Sequence, residues 1–320
     1  MNGALKEAPI LETPDCSHRL RSPLQLSGWK QFVKLKWDFD ALDCSSDDDK
    51  KESELAGLLW ADRRGLISQP PTIPYTPLFP TRSGPASSDR AWIERATAVA
   101  EQMSTFGTGG TIAFPPELVD VRPWQWNGFL ANVAYTSRIS LPHDLSLVDR
   151  SVRKQIAKAE RAGYIVAPAR SIDDVFHCLA GTEQKQRFQY GITGHDLKIA
   201  TGHLGPENLR LYVCYSATGE PASARAVLCT PGTWAIDWLA GTSAEHRSSG
   251  ATQFLINHVL EDLSALQAIG FDYGGANLQS IAAAKTAWGG RLTPFYRIRR
   301  QDLRYVAKLT ASWLRQRLSR

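Results

Sequence analysis

No apolar run in the sequence reaches about 18 residues, the length at which a segment can span a membrane. The first 20 residues contain no apolar stretch of the kind that a signal peptide carries. Only five of the 320 residues are cysteine, and no two have CxxC spacing. We therefore expect no transmembrane segment, no secretion and no disulfide framework, but a cytoplasmic chain whose cysteines are reduced and buried.

The sequence also lacks the motifs of several common chemistries. His195 and His203 are eight residues apart and His246 and His258 are twelve apart, spacings that do not predict a metal site. Neither a Gly-x-Ser-x-Gly elbow nor a phosphate-binding P-loop is present. We therefore expect neither metal catalysis nor a covalent serine intermediate, and no tightly bound cofactor.

What the chain does have is a globular composition with a mild excess of positive charge. Hydrophobic residues make up 43% of it, and its formal net charge is +5. Its 320 residues predict about two domains. The basic balance favours anionic partners such as nucleotides, tRNA or an acidic substrate.

The pattern along the chain divides it into four parts. They are a flexible arm over 1–24, a first lobe over 25–145, a second lobe over 146–300 and a basic C-terminal helix over 301–320. The first lobe is expected to contain exposed loops at 44–54 and 69–85, a helix over 88–103 and extended segments over 111–114 and 129–141.

The second lobe has a clearer pattern. Ser146–Asp149 has the form of a capping box, and the apolar stripe after it predicts an amphipathic helix that ends at Gly163. The elements expected next are a strand over 164–167, a helix from Ser171, a helix over 183–189, strands over 209–215, 222–230 and 233–240, a helix over 250–267, a strand over 271–273, a helix over 278–288 and a strand over 291–299. This order predicts a mixed α/β fold with a mostly antiparallel sheet flanked by helices.

The junction before the long helix, His246–Thr252, has a composition typical of anion binding. A helix N-terminus presents unpaired N–H groups and a partial positive charge. Small residues let an anion approach the backbone, and an arginine adds charge. The residues predicted to bind a carrier's phosphates are Arg247, Ser249, Gly250 and Ala251. The alternative is a plain serine-rich N-cap.

Several segments in the same order carry a family resemblance. They are RKQIAKAERAGY at 153–164, the Arg-x-x-Gly-x-small loop at 247–252, FDYGGAN at 271–277, Ala284-Lys285, and WGGRL at 288–292. Together they resemble the Fem-type branch of the GCN5-related acetyltransferase superfamily, whose members include enzymes that build peptidoglycan cross-bridges. The resemblance covers about residues 130–300 and implies two acetyltransferase-like lobes in tandem, of which the first is degenerate.

The resemblance also implies site residues. In the family a Phe-Lys pair lies just ahead of a Gly-Gly segment, and its lysine contacts the acyl donor and the reacting carbonyl. Lys285 matches that lysine, although Ala284 replaces the aromatic residue and Thr252 stands where the loop usually has Gly or Ala. Leu239 and Ala240 lie on the strand whose backbone binds the donor in such folds.

The chemistry expected of Lys285 follows from the reaction. Attack by an amine on an ester or thioester builds negative charge on the carbonyl oxygen, which a fixed ammonium stabilises. The alternative is a solvated helix lysine. Asp272 is predicted either to accept the amine's proton or orient the acceptor, or instead to cap the helix near Asn277. Tyr273, Asn277 and Arg187 are the predicted acceptor-binding residues.

Two basic segments have open interpretations. The helix over 150–161 either guides a polyanionic donor such as tRNA or is the solvated face of an amphipathic helix. The stripe over 303–318 either lies on the inner face of an anionic membrane as a peripheral contact or packs on the second lobe.

The resulting hypothesis is direct N-acyl transfer. An acyl or aminoacyl group passes from acyl-CoA or aminoacyl-tRNA, used as co-substrate, to an amine on a small molecule, a sugar precursor or a cell-envelope precursor. A non-catalytic binding protein on a degenerate acetyltransferase fold is the alternative.

Overall fold

The computed structural model of the protein describes residues 20–44, 55–80 and 90–300. Most of the predicted arm, nearly all of the 44–54 loop and the end of the proline-rich segment lie outside the described residues. So does the whole C-terminal segment over 301–320, including the stripe at 303–318.

The helices and strands of the described residues follow one another in a mixed order. The helices are α1 (Ser27–Trp37), α2 (Arg90–Phe106), α3 (Arg122–Trp126), α4 (Arg150–Arg161), α5 (Ile172–Gln186), α6 (Gly194–Asn208), α7 (Ala251–Ala265) and α8 (Gln279–Thr286). The strands are β1 (Asp40–Asp43), β2 (Leu55–Ala61), β3 (Leu78–Pro80), β4 (Thr111–Ala113), β5 (Phe129–Ser140), β6 (Ile165–Pro168), β7 (Leu209–Tyr215), β8 (Pro221–Leu228), β9 (Trp234–Thr242), β10 (Gly270–Gly275) and β11 (Arg291–Arg300).

Two details of the predicted second lobe are wrong. Leu145–Leu147 forms a single 3-10 turn and α4 begins only at Arg150, so the predicted capping box is absent. No separate helix covers 183–189, because α5 continues to Gln186 and ends where Arg187 adopts a left-handed conformation. The next helix, α6, was not predicted, since two glycines and Pro206 interrupt its apolar pattern.

The strands form a three-stranded sheet in the order β1-β2-β3 and an eight-stranded sheet in the order β4-β11-β5-β10-β9-β8-β7-β6. Neighbours in the larger sheet are antiparallel except β9 and β10. The predicted fold class, mixed α/β with mostly antiparallel strands flanked by helices, is confirmed. Strand β5 pairs with β10 and β11, so the large sheet extends across the proposed lobe boundary near residue 145.

The parallel pair is short, and this creates the main irregularity of the sheet. Pairing runs from Gly270 with Trp234 to Asp272 with Ile236, and the remaining residues of β9 and β10 do not pair with each other. A register shift between β8 and β9 falls at the same level, next to Asp237. We call the space beyond the last pair the β9–β10 gap.

The two faces of the large sheet are covered by different helices. On one face α1, α5 and α6 pack around a core that includes Trp29 and Trp238, whose rings meet edge to face at 5.1 Å. On the other face α4 and α7 cover a core that includes Phe271 and Tyr273. A third core lies between α2, α3 and the end of the sheet at Ile298. None of the helices in the described ranges combines the length and apolarity that crossing a membrane needs.

The packing of α5 on β9 gives a prediction about stability. A Cβ added to Gly241 would lie 2.4 Å from the carbonyl oxygen of Cys178 on α5, whereas one added to Gly202 would meet nothing within 4 Å. We expect Gly241→Ala to lower the free energy of unfolding by about 1–3 kcal/mol through overpacking. The matched control Gly202→Ala, in an exposed helix interior, should be neutral or raise it by about 0.5–1 kcal/mol.

Urea denaturation of both variants measures the difference. Equal free energies of unfolding for the two variants would contradict the close approach of α5 to β9.

Candidate active site

The β9–β10 gap has different side chains on its two faces, because successive residues of a strand point to opposite sides. Tyr273 belongs to the core beneath α4 and α7. Asp272, its neighbour, lines a pocket together with Tyr75 and Ile236, which belong to the core beneath α1, α5 and α6. We call these the α7-side site and the α1-side pocket.

The α7-side site is built around a buried ion pair. Arg225 on β8 donates to the carboxylate of Asp237 on β9, and both side chains are less than a tenth exposed. The guanidinium also lies 5.0 Å from the centre of the Tyr273 ring. Asp237 Oδ1 and Arg225 Nε are buried and have no hydrogen-bond partner among the described residues. Such incompletely paired buried groups are uncommon and mark candidate functional sites.

Lys285 reaches this site from α8. Its Nζ donates to the carbonyl oxygens of Tyr273, Gly274 (3.0 Å) and Gly275 (2.9 Å), and it lies 4.9 Å from the centre of the Tyr273 ring. All three ammonium hydrogens are therefore engaged. The lysine fixes the end of β10 and places a positive charge beside the gap.

The surroundings of Lys285 lower its pKa to about 8. Burial is the main cause and the Arg225 guanidinium adds to it, while the carboxylates of Asp237 and Asp272 oppose the shift. The ammonium is thus the form that the site destabilises, as expected for a cation in a partly buried environment.

Asp272 is saturated with hydrogen bonds. Its Oδ1 accepts from Thr136 Oγ1 at 2.5 Å and from the Gly274 N–H at 3.0 Å. Its Oδ2 accepts from Arg138 Nε at 2.9 Å and Tyr75 Oη at 3.1 Å. Burial and the nearby carboxylate raise the pKa of Tyr75 well above its usual value, so this phenol stays a donor.

Four donors leave Asp272 no free lone pair for a proton from a substrate. It does not cap α8 either, because Leu278 is the N-cap of that helix and makes no side-chain cap. The cap alternative is therefore wrong, and the geometry gives little support to a role as proton acceptor.

The polar groups of the predicted carrier-binding loop largely hydrogen-bond to the protein itself. Arg247 donates to the carbonyl of Gly181 at 2.8 Å. Ser249 Oγ donates to the carbonyl of His246 and accepts from the Ala251 N–H. These contacts leave a phosphate fewer donors than the sequence pattern suggested.

Packing and hydrogen bonding within the protein explain why Gly250 and Thr252 occupy their positions. Gly250 is the N-cap of α7 with φ of 89°, and a Cβ there would lie 2.2 Å from the carbonyl oxygen of Gln155 on α4. The Thr252 hydroxyl lies 2.8 Å from that of Thr242 on β9. The small residue at position 250 thus lets α4 and α7 pack closely.

The other predicted binding residues differ in position. Leu239 is buried in the α1-side core, and the carbonyl of Ala240 accepts from Tyr190 Oη at 2.8 Å. Asn277 pairs through both ends of its amide with the backbone of Tyr135. Arg187 is exposed at the end of α5.

Of the predicted site residues, the structure thus brings Lys285, Asp272 and Tyr273 together at the gap. The binding roles assigned to the remaining residues stay predictions.

Sequence reasoning missed Arg225, Asp237, Arg138 and Glu117. A signal was present for Arg225, because it interrupts the run of small and apolar residues at 222–229. Charged residues are almost never buried unless paired. The partners come from distant segments, so only the tertiary structure reveals them. The described ranges contain no group of His, Cys, Asp and Glu side chains arranged to hold a metal ion.

The sequence and the fold of this chain are both similar to those of known proteins. A family model described as an acetyltransferase (GNAT) domain matches residues 148–280. No curated protein matches the chain in sequence. Among solved structures, FemX superposes with a TM-score of 0.62 at 13% identity, covering 85% of this chain and 91% of FemX.

Two further solved structures share the fold over most of their length. The C-terminal domain of a putative lysylphosphatidylglycerol synthetase from Agrobacterium fabrum gives a TM-score of 0.57 at 12% identity, with coverage of 90% of this chain and 92% of that domain. L-PGS from Bacillus licheniformis gives 0.54 at 12%, with coverage of 91% and 96%.

The protein therefore has the GNAT fold, and residues 148–280 are the part of the chain that the GNAT family model matches. Within that class, the resemblance to the Fem-type branch is confirmed at the level of the fold, which the chain shares with FemX.

The lowered pKa of Lys285 gives a prediction about stability and pH. Between pH 8 and 10.5 the folded lysine has released a proton that the unfolded chain still holds. The free energy of unfolding contributed by Lys285 should therefore increase with pH across this window.

Denaturation of the wild type and Lys285→Met at pH 7 to 10.5 measures this contribution as their difference. Lys198→Met, which changes an exposed lysine of α6, is the control and should show no such trend. A difference for Lys285→Met that stays constant with pH would refute the shift.

Proposed function

We propose that the protein is an N-acyltransferase that passes an acyl or aminoacyl group directly from an activated carrier to an amine. The observation that carries the proposal is the β9–β10 gap, which has a group of charged side chains on each of its two faces. The α7-side site holds two cations, Arg225 and Lys285, and one carboxylate, Asp237. The α1-side pocket holds two carboxylates, Glu117 and Asp272, and two guanidinium groups, those of Arg138 and Arg21.

This division suits the reaction. When an amine attacks an ester or thioester, negative charge develops on the carbonyl oxygen, and fixed cations nearby stabilise it without reorganising. The donor carbonyl therefore belongs on the α7 side, near Arg225 and Lys285. The amine then approaches from the opposite face of the gap, through the α1-side pocket. No covalent enzyme intermediate is needed.

The role of Lys285 differs in detail from direct contact with the oxyanion. Its three N–H groups are occupied by the carbonyl oxygens of residues 273–275. It therefore acts as a positioning residue and a nearby charge. It fixes the conformation of the end of β10, and its ammonium favours the charge of the transition state.

The donor we propose is an aminoacyl-tRNA. The polar groups of the predicted phosphate loop already hydrogen-bond to the protein, and α4 packs directly on Gly250. Both contacts disfavour binding of the pyrophosphate of CoA in this loop. The basic residues of α4 are exposed, which suits a polyanionic RNA; they are Arg150, Arg153, Lys154, Lys158 and Arg161. The name lysylphosphatidylglycerol synthetase, carried by one of the similar structures, also denotes an aminoacyl product.

The remaining parts of the proposal concern the acceptor and the location. We propose an amine carried by a small molecule or a cell-envelope precursor, and a cytoplasmic protein that contacts the inner membrane face through 303–318. A basic segment that binds an anionic membrane would bring the protein close to a membrane-bound precursor. The local concentration of that precursor around the protein would then be higher.

Donor preference can be measured by binding. We expect calorimetry to show no heat with CoA or acetyl-CoA at millimolar concentration. An aminoacyl-tRNA should bind, with an affinity that falls steeply as salt increases. Replacing Arg153 and Arg161 together with Gln should weaken tRNA binding and reduce the salt dependence.

The matched control replaces Arg63 and Arg64, which lie outside α4, with Gln and should leave binding unchanged. Tight binding of acetyl-CoA would reverse the assignment in favour of acyl-CoA.

The catalytic part is tested by transfer from a charged tRNA to amine acceptors. We expect Lys285→Ala to lower kcat by about 10², the loss that a displacement of about 1 Å in a site can cause, because the variant no longer fixes the end of β10. Lys198→Ala is the control and should retain full activity. Thermal unfolding of both variants shows that the assay samples folded protein.

A rate that Lys285→Ala leaves unchanged would remove the lysine from the mechanism. Binding of tRNA without transfer to any amine would favour the alternative of a non-catalytic binding protein.

A further inference from the structure

The face of the large sheet that carries the α7-side site continues past the gap onto β5. Residues of β5 that are two apart share a face, and Ile139 belongs to the core beneath α4 and α7. Tyr135 and Val133 therefore point to the same side as Ile139. They are 41% and 53% exposed, although they lie within a sheet strand.

Strand β11 adds three more side chains to this face. Leu292 pairs with Ser137, and Pro294 and Tyr296 pair with the two exposed residues of β5. Leu292 is 53% exposed and Pro294 is exposed, whereas Tyr296 packs partly against the third core. The residues that we call the β5–β11 platform are Val133, Tyr135, Leu292, Pro294 and Tyr296.

The two tyrosines make the platform a surface for flat ring systems. Tyr135 and Tyr296 are diagonal neighbours across the strand pair, a separation that aromatic side chains can bridge. The stretch from Val133 to Ser137 is about 13 Å long, at about 3.3 Å per residue. Some RNA-binding domains stack two or three bases on exposed aromatic residues of a sheet. The platform has the chemistry and the size for such stacking.

Positive charge lies beside the platform. Strand β11 contains no Asp or Glu but four arginines, of which Arg291 and Arg297 are exposed and alternate with the platform residues. The basic helix α4 begins nearby, because the N–H of Asp149 donates to the carbonyl of Ala287 just after α8. These charges favour a polyanion. The aromatic residues favour an RNA over an anionic lipid surface, since every base has a face on which an aromatic ring can stack.

The platform also borders the end of β10. The Tyr135 N–H donates to Asn277 Oδ1 at 2.9 Å, and the Tyr135 carbonyl accepts from the Ala276 N–H at 2.7 Å. The carbonyls of the three preceding residues, 273–275, are those that bind Lys285. A nucleotide stacked on Tyr135 would therefore place a group esterified to it beside the α7-side site.

We propose that the β5–β11 platform binds the unpaired nucleotides at the 3′ end of a tRNA, with Tyr135 as the residue on which a base stacks. The inference rests on the proposed function, because it makes this RNA the aminoacyl donor. It places the terminal bases on the same face of the sheet as Arg225 and Lys285. The basic residues of α4 then contact phosphates, and the platform contacts bases.

Binding of two uncharged tRNAs tests the platform without any transfer step. One tRNA is intact and the other lacks its three 3′-terminal nucleotides, and both are followed by fluorescence anisotropy. We expect the wild type to bind the intact tRNA about five- to a hundred-fold more tightly, the range for stacking of one base. Tyr135→Ala should lose most of this preference. Tyr135→Phe retains the ring and should keep it.

Phe188→Ala is the matched control, because Phe188 is 40% exposed but follows α5, which packs on the opposite face of the sheet. It should keep the preference of the wild type. Replacing Arg153 and Arg161 with Gln should weaken binding of both tRNAs alike, since phosphate contacts do not depend on the terminal bases. Tyr135→Ala should leave the salt dependence unchanged. Thermal unfolding checks that each variant is folded.

Two results would overturn the inference. One is a wild type that binds both tRNAs equally or binds neither. The other is a Tyr135→Ala variant that keeps the preference for intact tRNA. In that second case, loss of binding to phosphatidylglycerol vesicles by the same variant would identify a membrane as the partner of the platform.

Kinetics separate this inference from the proposed function. If aminoacyl-tRNA is the donor, Tyr135→Ala should raise its KM about five-fold or more and change kcat much less. An unchanged KM would refute the role of the platform while leaving acyl transfer standing. A preference for intact tRNA without transfer to any amine would refute acyl transfer while leaving the platform standing.

Discussion

The site depends on one constraint, the end of pairing between β9 and β10 after Ile236 and Asp272. A fully paired sheet would separate its two faces with a continuous backbone ladder. Where the ladder stops, side chains on opposite faces lie close to a common opening. The register shift beside Asp237 and the bonds from Lys285 to three carbonyls both fall at this point. The bonds from Lys285 fix the conformation of the end of β10.

Buried charge is the second feature that follows from the gap. The Arg225–Asp237 and Arg138–Asp272 pairs are nearly inaccessible to solvent. Burying an ion pair costs desolvation that its mutual attraction often fails to recover, so such pairs are weak evidence for stability. Their position at the gap, and the unpaired Asp237 Oδ1, point instead to selection for a charged environment. The two pairs share no partner, and each lies on its own face of the sheet.

The sequence predicted the elements whose pattern is local. The stripe of α2, the three antiparallel strands β7 to β9 and the long helix α7 were found at nearly the observed positions, because their apolar periodicity is strong. The failures have physical causes. Helix α6 contains Gly205 in a non-helical conformation followed by Pro206, so its pattern is broken although its buried face is real. Asp149 occupies the N-cap of α4 without a side-chain hydrogen bond, so the capping box predicted at Ser146–Asp149 does not form.

Residue types and their spacing determined the fold class, the resemblance to Fem-type proteins and the presence of Lys285, Asp272 and Tyr273 near one another. These follow from short-range patterns, since a strand, a turn and a helix within about 15 residues bring their side chains together. Only the tertiary structure decided that Asp272 is saturated, that α4 covers Gly250 and that Glu117 shares Arg138. Each of these depends on contacts between segments far apart in the chain. Local periodicity does not predict which distant segments come into contact.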